Sequence, residues 1–224
     1  MKVVVVGGHS RNIGKTSVMA GLIRGLEPFD WTAVKITPYG QGIRSLGGDP
    51  CSCAPTEHPF ALAEEENPRG RGDTCRFLAA GARRSLWLRV REGQLGEAFP
   101  CLLEALDSAE HVMIESNSIL SFLEPAVYVV VLNRSRRDFK PSAREFLERA
   151  DALVRVGPVV GARAWPGLSP ATFARKPVFQ VSPGDYSNPE LCRFVRQRLA
   201  TPEAEVRPAG LPQPTPTEEL PWPL

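Results

Sequence analysis

The sequence predicts an α/β fold in which a mainly parallel sheet carries helices on both faces, giving three layers. Two observations predict it. Short apolar strands alternate with helical patterns along the chain, which is typical of a parallel sheet with crossover helices. The first strand, over 3–6, ends at a glycine pair, and Gly14, Lys15 and Thr16 then open a helix. This order of strand, glycine loop and helix puts a binding loop at the carboxyl edge of the sheet.

The other elements follow from hydrophobic patterns and turn residues. Strands are predicted over 31–37, 85–90, 112–114, 126–132, 152–156 and 177–181, and helices over 18–26, 73–82, 96–106, 142–150 and 189–199. The strand over 126–132 is uniformly apolar, as expected of a strand buried on both faces. Asp73 and Gly81 suit the first turn and the C-terminal end of their helix. Residues 38–72 are predicted to form a loop-rich insert.

Length and composition indicate one domain over 1–200. A Pro-rich tail, 201–224, is expected to be extended or disordered. The net charge of +2 argues against a dedicated nucleic-acid surface, no apolar run is long enough to span a membrane, and the N-terminus enters a strand with no room for a signal peptide. We therefore expect a cytoplasmic protein. The five cysteines are expected to be thiols or ligands rather than a disulfide framework.

The glycine loop has the residues of a phosphate-binding loop, the hallmark of P-loop NTPases. Its backbone N–H groups and the helix N-terminus can surround a polyphosphate. Lys15 is expected on the β- and γ-phosphates, and Thr16 on Mg²⁺. Glu115, at the end of an apolar strand, and Asp49, in the insert, are further candidate Mg²⁺ ligands. The expected nucleotide-binding residues are Gly8, Asn12, Ile13, Gly14, Lys15, Thr16 and Ser17.

Two stretches carry a resemblance to a known family. GGHSRNIGKTS, the strand-end Glu115 and the helix DTCRFLAAGA resemble the MobB-like adapter family of molybdopterin-guanine dinucleotide biosynthesis. The resemblance covers roughly residues 1–155. It implies a GTP-binding P-loop protein of cofactor biosynthesis, working with a partner protein. The loop also has five residues between Gly8 and Gly14, as in dethiobiotin synthetase and the cobyric acid synthases, where a lysine placed like Lys35 lies on the substrate side.

The nucleotide base is left open by the sequence. An N-K-x-D guanine signature is absent, although Asn133 in LNRSRRD is a candidate base-reading residue with Asp138 further on. GTP is slightly favoured over ATP on resemblance alone. Arg76, on the motif helix, is expected to bind an anionic substrate or a partner subunit. We also expect a homodimer, with Arg11 reaching phosphate or lying across the dimer contact, and the other basic clusters on solvated faces.

The insert contains one further pattern, Cys51, Cys53 and His58. Two thiolates and an imidazole could provide three ligands of Zn²⁺ or another soft metal such as iron. Cys75, His9 or an acid is the candidate fourth ligand. Ordinary loop cysteines are the alternative.

Three functional hypotheses follow. The first is a GTP- or ATP-hydrolysing switch that acts beside another protein. The second is an ATP-dependent ligase or kinase that binds a small carboxylate or alcohol through Lys35, Ser116 and Asn117. The third is a metal-binding or metal-delivery module in which the nucleotide site gates the Cys51/Cys53/His58 centre.

Overall fold

A computed structural model describes residues 1–39, 59–158, 165, 168–169, 171–201 and 207–208. Its strands are β1 Lys2–Gly8, β2 Trp31–Tyr39, β3 Phe60–Glu64, β4 Arg84–Arg91, β5 His111–Glu115, β6 Leu123–Glu124, β7 Val127–Asn133, β8 Ala152–Val156, β9 Val178–Val181 and β10 Arg207–Pro208. Its helices are α1 Lys15–Gly25, α2 Asp73–Ala79, α3 Leu95–Ala105, α4 Pro141–Phe146, α5 Ala171–Ala174 and α6 Pro189–Leu199, with 3₁₀ turns over Ser118–Ser121 and Leu147–Arg149.

Eight strands form the main sheet in the order β3-β4-β2-β5-β1-β7-β8-β9. Neighbouring strands are parallel except β3, which pairs antiparallel with β4. The predicted mainly parallel sheet is therefore confirmed. Strand β1 lies between β5 and β7, so the loop that follows it opens at the middle of the carboxyl edge. That position is where open α/β sheets bind their ligands.

The side chains of β1 alternate between two cores, which confirms the three layers. Val4 and Val6 belong to a core shared with α1, α2 and α6, through residues such as Leu22, Phe77 and Val195. Val3 and Val5 belong to the opposite core, which contains Leu102 of α3 and Phe146 of α4. All four valines of β1 are fully buried. Burying a valine side chain stabilises a fold by roughly 1.5–3 kcal/mol, so this strand is a rigid base for the loop.

Several element boundaries differ from the sequence prediction. Helix α2 ends at Ala79 because Gly81 adopts the left-handed conformation (φ +103°) that closes a helix. The helix predicted over 142–150 begins at Pro141 and continues after Phe146 as a 3₁₀ turn. The insert predicted to be loop-rich over 38–72 contains the end of β2 and the whole of β3. Within the predicted tail, Arg207 and Pro208 are extended and pair with β6.

Across the residues that the structure describes, none of the helices has the length and apolar character needed to cross a membrane.

Candidate functional site: a phosphate-binding loop and its cation cluster

The loop between β1 and α1 is shaped by two residues in the left-handed region. Asn12 has φ +55° and Gly14 has φ +100°, a conformation that glycine adopts without strain. Helix α1 begins at Lys15 with no side-chain cap and no acid in its first turn. Its first N–H groups are therefore left for a ligand, and the helix dipole favours an anion there.

Gly7 lets a neighbouring side chain brace this loop. A Cβ at Gly7 would lie 2.1 Å from Asn117 Oδ1 and 2.8 Å from the Tyr128 ring. The Asn117 amide accepts from Gly8 N at 2.9 Å and donates to Gly8 O at 3.0 Å. Asn117 therefore fixes the start of the loop. The ligase hypothesis predicts Asn117 as a substrate contact; its amide here pairs with the loop backbone, and the substrate role stays a prediction.

Lys15 turns back into the loop that precedes it. Its ammonium donates to Ser10 O at 2.7 Å. Burial lowers the pKa of Lys15 to about 8, although the Glu115 carboxylate partly offsets this. Among the described residues, the Ser10 carbonyl is the hydrogen-bond partner of this partly buried cation, so an anion at the helix N-terminus would stabilise it.

Thr16, Lys35 and Glu115 meet at the carboxyl edge of the sheet. Parallel pairing sets Lys35 of β2 beside Glu115 of β5, and Val6 of β1 on the other side of Glu115. Thr16 Oγ1 donates to Glu115 Oε2 at 2.7 Å, and Lys35 Nζ donates to Glu115 Oε1 at 2.6 Å. The side chain of Glu115 is only 2% exposed. A carboxylate this deeply buried requires such partners.

Asp73, at the start of α2, completes the group. Its Oδ2 lies 2.8 Å from Lys35 Nζ, and its Oδ1 lies 3.8 Å from Arg76 Nη1. Burial opposes ionisation of Asp73, but Lys35 outweighs it and the pKa of Asp73 is lowered. Burial would likewise lower the pKa of Lys35, yet Glu115 and Asp73 raise it above its ordinary value. We call Thr16, Lys35, Asp73 and Glu115 the cation cluster.

Arg76 lies at the rim of the cluster. Its guanidinium donates to Ser17 Oγ at 2.7 Å, which ties α2 to the first turn of α1. The Arg76 side chain remains 45% exposed, so it is accessible to a ligand or a partner. Its predicted role in binding an anionic substrate stays a prediction.

A segment after β7, residues 133–140, wraps over the phosphate loop. His9 is fully buried, and its ring nitrogens bond Asp138 O at 2.8 Å and the Asn133 backbone N at 3.1 Å. Ser10 Oγ donates to the Asp138 carboxylate. The backbone N of Lys140 donates to His9 O at 2.9 Å. We call this set of contacts the His9 clasp.

Solved structures with some likeness to this chain include those of three other proteins. No protein-family model matches the chain, and no curated protein matches it significantly. Similar solved structures include HypB from Helicobacter pylori in complex with nickel (15% identity, 88% of this chain, 85% of that chain, TM-score 0.46). LpxK from Aquifex aeolicus in complex with ATP has 16% identity, covering 80% of this chain and 53% of that chain (TM-score 0.44). MobB from Bacillus subtilis has 16% identity, covering 88% and 97% (TM-score 0.37).

These likenesses concern the fold alone.

Of the predicted nucleotide-binding residues, Gly8 ends β1 and Asn133 ends β7, and the others lie in the loop or the first turn of α1. Ile13 differs from the others because its side chain is 1% exposed and packs in the core below the loop. Only its backbone faces the ligand position. Asn133 Oδ1 accepts from Ser135 N at 2.9 Å and from Ser135 Oγ at 2.7 Å. Its side chain therefore shapes the turn after β7, and its base-reading role stays a prediction.

Lys140 lies at the site, although the sequence patterns do not predict it there. Its charge was expected on a solvated face with its arginine neighbours. The clasp instead holds it half-buried beside the phosphate loop. Burial lowers the pKa of Lys140, and Arg11 lowers it further. The DFKP sequence after β7 does not predict that Lys140 lies beside the phosphate loop. That position depends on a contact with His9, which is far away in the chain.

The predicted soft-metal ligands Cys51, Cys53 and His58, and the predicted Mg²⁺ ligand Asp49, lie outside the described residues. Two candidates for a fourth soft-metal ligand are described. Both ring nitrogens of His9 are used in the clasp, and its role as a metal ligand stays a prediction. Cys75 Sγ lies 3.0 Å from Glu65 Oε2. Within the described ranges, no group of three or more His, Cys, Asp or Glu side chains could hold a metal.

The His9 clasp makes a pH prediction. Burial lowers the pKa of His9 below its ordinary value of 6.5, so the unfolded chain takes up the proton first on acidification. The contribution of His9 to stability is therefore complete above pH 6.5 and is lost as the pH falls through the lower folded value. We expect His9→Gln, which cannot titrate, to lose less unfolding free energy between about pH 7 and pH 5 than wild type.

Urea denaturation at each pH measures this difference. His111 also has a pKa lowered by burial, but it is present in both proteins and cancels in the comparison. Parallel pH slopes for wild type and His9→Gln would show that His9 is not the titrating group.

Proposed function

We propose that this protein binds a nucleoside triphosphate together with Mg²⁺ and hydrolyses it, with GTP slightly favoured over ATP. The observation that carries the proposal is the convergence of Lys15, Thr16 and Glu115 at an uncapped helix N-terminus. The loop amides and the Lys15 ammonium then bind the β- and γ-phosphate oxygens and stabilise charge there. GTP is preferred on the resemblance to the MobB-like family.

The cation cluster has the chemistry of a Mg²⁺ site. Hard cations take oxygen ligands, and here a hydroxyl and two carboxylates, from Thr16, Glu115 and Asp73, surround the Lys35 ammonium. That ammonium is a stand-in cation, which supports the fit. These three residues would hold Mg²⁺, with Asp49 as the ligand predicted from the insert. Bound Mg²⁺ would neutralise charge on the phosphate oxygens.

Glu115 is too deeply buried to reach solvent directly, so we assign it to cation binding and to holding Thr16 rather than to proton transfer. Asp73 is 42% exposed on its side chain and faces the open end of the cluster. It is therefore the better placed carboxylate for orienting an attacking water. Slow turnover is expected where a partner protein has to complete the site, as the resemblance to an adapter protein implies.

Phosphate release from GTP and from ATP, with Mg²⁺ and with excess chelator, tests the proposal. We expect slow, Mg²⁺-dependent release that is faster with GTP. Phosphate release that requires a small carboxylate, as in a ligase, or transfer of the γ-phosphate to a small alcohol without release of free phosphate, as in a kinase, would favour the ligase or kinase hypothesis, for which Lys35 is the substrate residue. Elemental analysis of wild type and a Cys51→Ser/Cys53→Ser variant tests the metal-module hypothesis. Size-exclusion chromatography with light scattering tests the predicted homodimer.

Lys140 provides a further prediction. Because the clasp fixes its backbone beside His9, we expect its ammonium to add a cation beside the bound phosphates. Lys140→Ala should weaken triphosphate binding by about tenfold, since a contact between charged groups contributes roughly 1.5 kcal/mol or more. The weakening should be smaller for the monophosphate, which leaves the outer phosphate positions empty.

Arg137→Ala is the matched control for Lys140→Ala. Arg137 lies in the same segment but is exposed to solvent. Binding measured by fluorescence titration should change little in this variant. An equal loss of affinity in both variants would mean that the segment contributes only general positive charge.

A further inference from the structure

Lys35 bonds the same oxygen atoms that the proposed cation would need. Its Nζ lies 2.6 Å from Glu115 Oε1, 2.8 Å from Asp73 Oδ2 and 3.5 Å from Thr16 Oγ1. We propose that Lys35 is a positioning residue that takes the place of a divalent cation when none is bound and competes with it for these three residues. This inference rests on the proposed function.

The ammonium keeps the cluster assembled when no nucleotide is present. The three oxygen-bearing residues come from different elements, Thr16 from α1, Asp73 from α2 and Glu115 from β5. Two carboxylates that face each other at a buried site repel, and leaving them without a cation is costly. Lys35 itself is only 17% exposed on its side chain. Its charge and the two negative charges therefore stabilise each other.

Two other cations near the site are engaged elsewhere. Lys15 donates to Ser10 O, and Arg76 donates to Ser17 Oγ and approaches the outer oxygen of Asp73. Lys35 is thus the cation placed between the two carboxylates. Among the described residues, its hydrogen bonds and ion pairs are all with members of the cluster.

Lys35 and a divalent cation exclude each other. Mg²⁺ binds its oxygen ligands at about 2.0–2.1 Å and uses the same lone pairs that now accept from the ammonium. Two cations at one set of oxygens would also repel. The ammonium has to leave the cluster before the oxygens can turn to a metal, and the phosphates of a nucleotide offer it a new anionic partner. Divalent cation and nucleotide should therefore bind cooperatively, with Lys35 as part of the coupling.

Mn²⁺ serves as a spectroscopic probe of the site, titrated by electron paramagnetic resonance into nucleotide-free protein. We expect weak binding to wild type and at least about tenfold tighter binding to Lys35→Met, because the competing charge is gone. Lys35→Gln is measured alongside as a second neutral variant. Adding Glu115→Gln to Lys35→Met should abolish the gain, which locates the ion at this cluster.

Lys140→Met is the matched control for charge. It removes a nearby positive charge but contacts none of the three oxygens, so its effect on Mn²⁺ affinity should be much smaller. An equal gain in Lys140→Met, or unchanged or weaker Mn²⁺ binding in both Lys35 variants, would overturn the inference. Binding of nucleotide that depends on Lys15 would then still support the proposed function, and its absence would count against that function separately.

Discussion

Lys15→Ala should weaken binding of a nucleoside triphosphate by roughly 30- to 150-fold, or about 2–3 kcal/mol. The lysine is partly buried, its ammonium donates to the carbonyl of Ser10, and burial lowers its pKa to about 8. A polyphosphate at the helix N-terminus supplies the anion that this charge lacks. Calorimetry with each triphosphate measures the loss.

Lys2→Ala is the control for Lys15→Ala. Lys2 begins β1 at the end of the strand opposite the loop, where its ammonium donates to Leu199 O. The variant removes the same charge at a distance from the site, so we expect wild-type affinity. A nucleotide affinity unaffected by Lys15→Ala would mean that the loop does not bind phosphate.

Glu115→Gln should raise the Mg²⁺ concentration needed for half-maximal nucleotide binding by about tenfold or more, because it removes one charged oxygen from a buried cation site. Binding measured without Mg²⁺ should weaken much less, or become tighter, because a negative charge near the phosphates is lost. This difference between binding with and without Mg²⁺ separates a cation ligand from a residue that only supports the fold.

Glu110→Gln is the matched control for Glu115→Gln. Glu110 immediately precedes β5 and is exposed, at the opposite end from Glu115. Nucleotide binding by the Glu110→Gln variant should depend on the Mg²⁺ concentration as it does in wild type. If Glu115→Gln also retained the wild-type Mg²⁺ dependence, Glu115 would be reassigned as an acid that only pairs with Thr16 and Lys35.

Local patterns predicted the parts of the site that lie on one element. The β-branched run of β1, the glycines and the Lys15-Thr16 pair are close in the chain, so their arrangement follows from strand and helix geometry. Glu115 was found because a single acid ends an otherwise apolar strand. Central strands were predicted for the same reason, since burial on both faces demands continuous apolar sequence.

Contacts between distant elements could not be predicted in this way. The sequence predicts Asp73 as a first-turn acid of its helix. The order of strands in the sheet brings it close to Lys35 and Glu115. The His9 clasp joins residues more than 120 positions apart in the chain. Strand β3 reads FALAE, which lacks the β-branched residues that mark strands. It forms because β4 offers a free edge with which it can pair.

The most direct test of Mg²⁺-dependent nucleotide binding is a calorimetric titration of the wild-type protein with non-hydrolysable analogues of GTP and ATP. It is run in the presence of Mg²⁺ and again with chelator. We expect saturable binding of at least one analogue to a single site per chain, and markedly weaker binding once Mg²⁺ is removed. An absence of binding for both analogues in the presence of Mg²⁺ would contradict it.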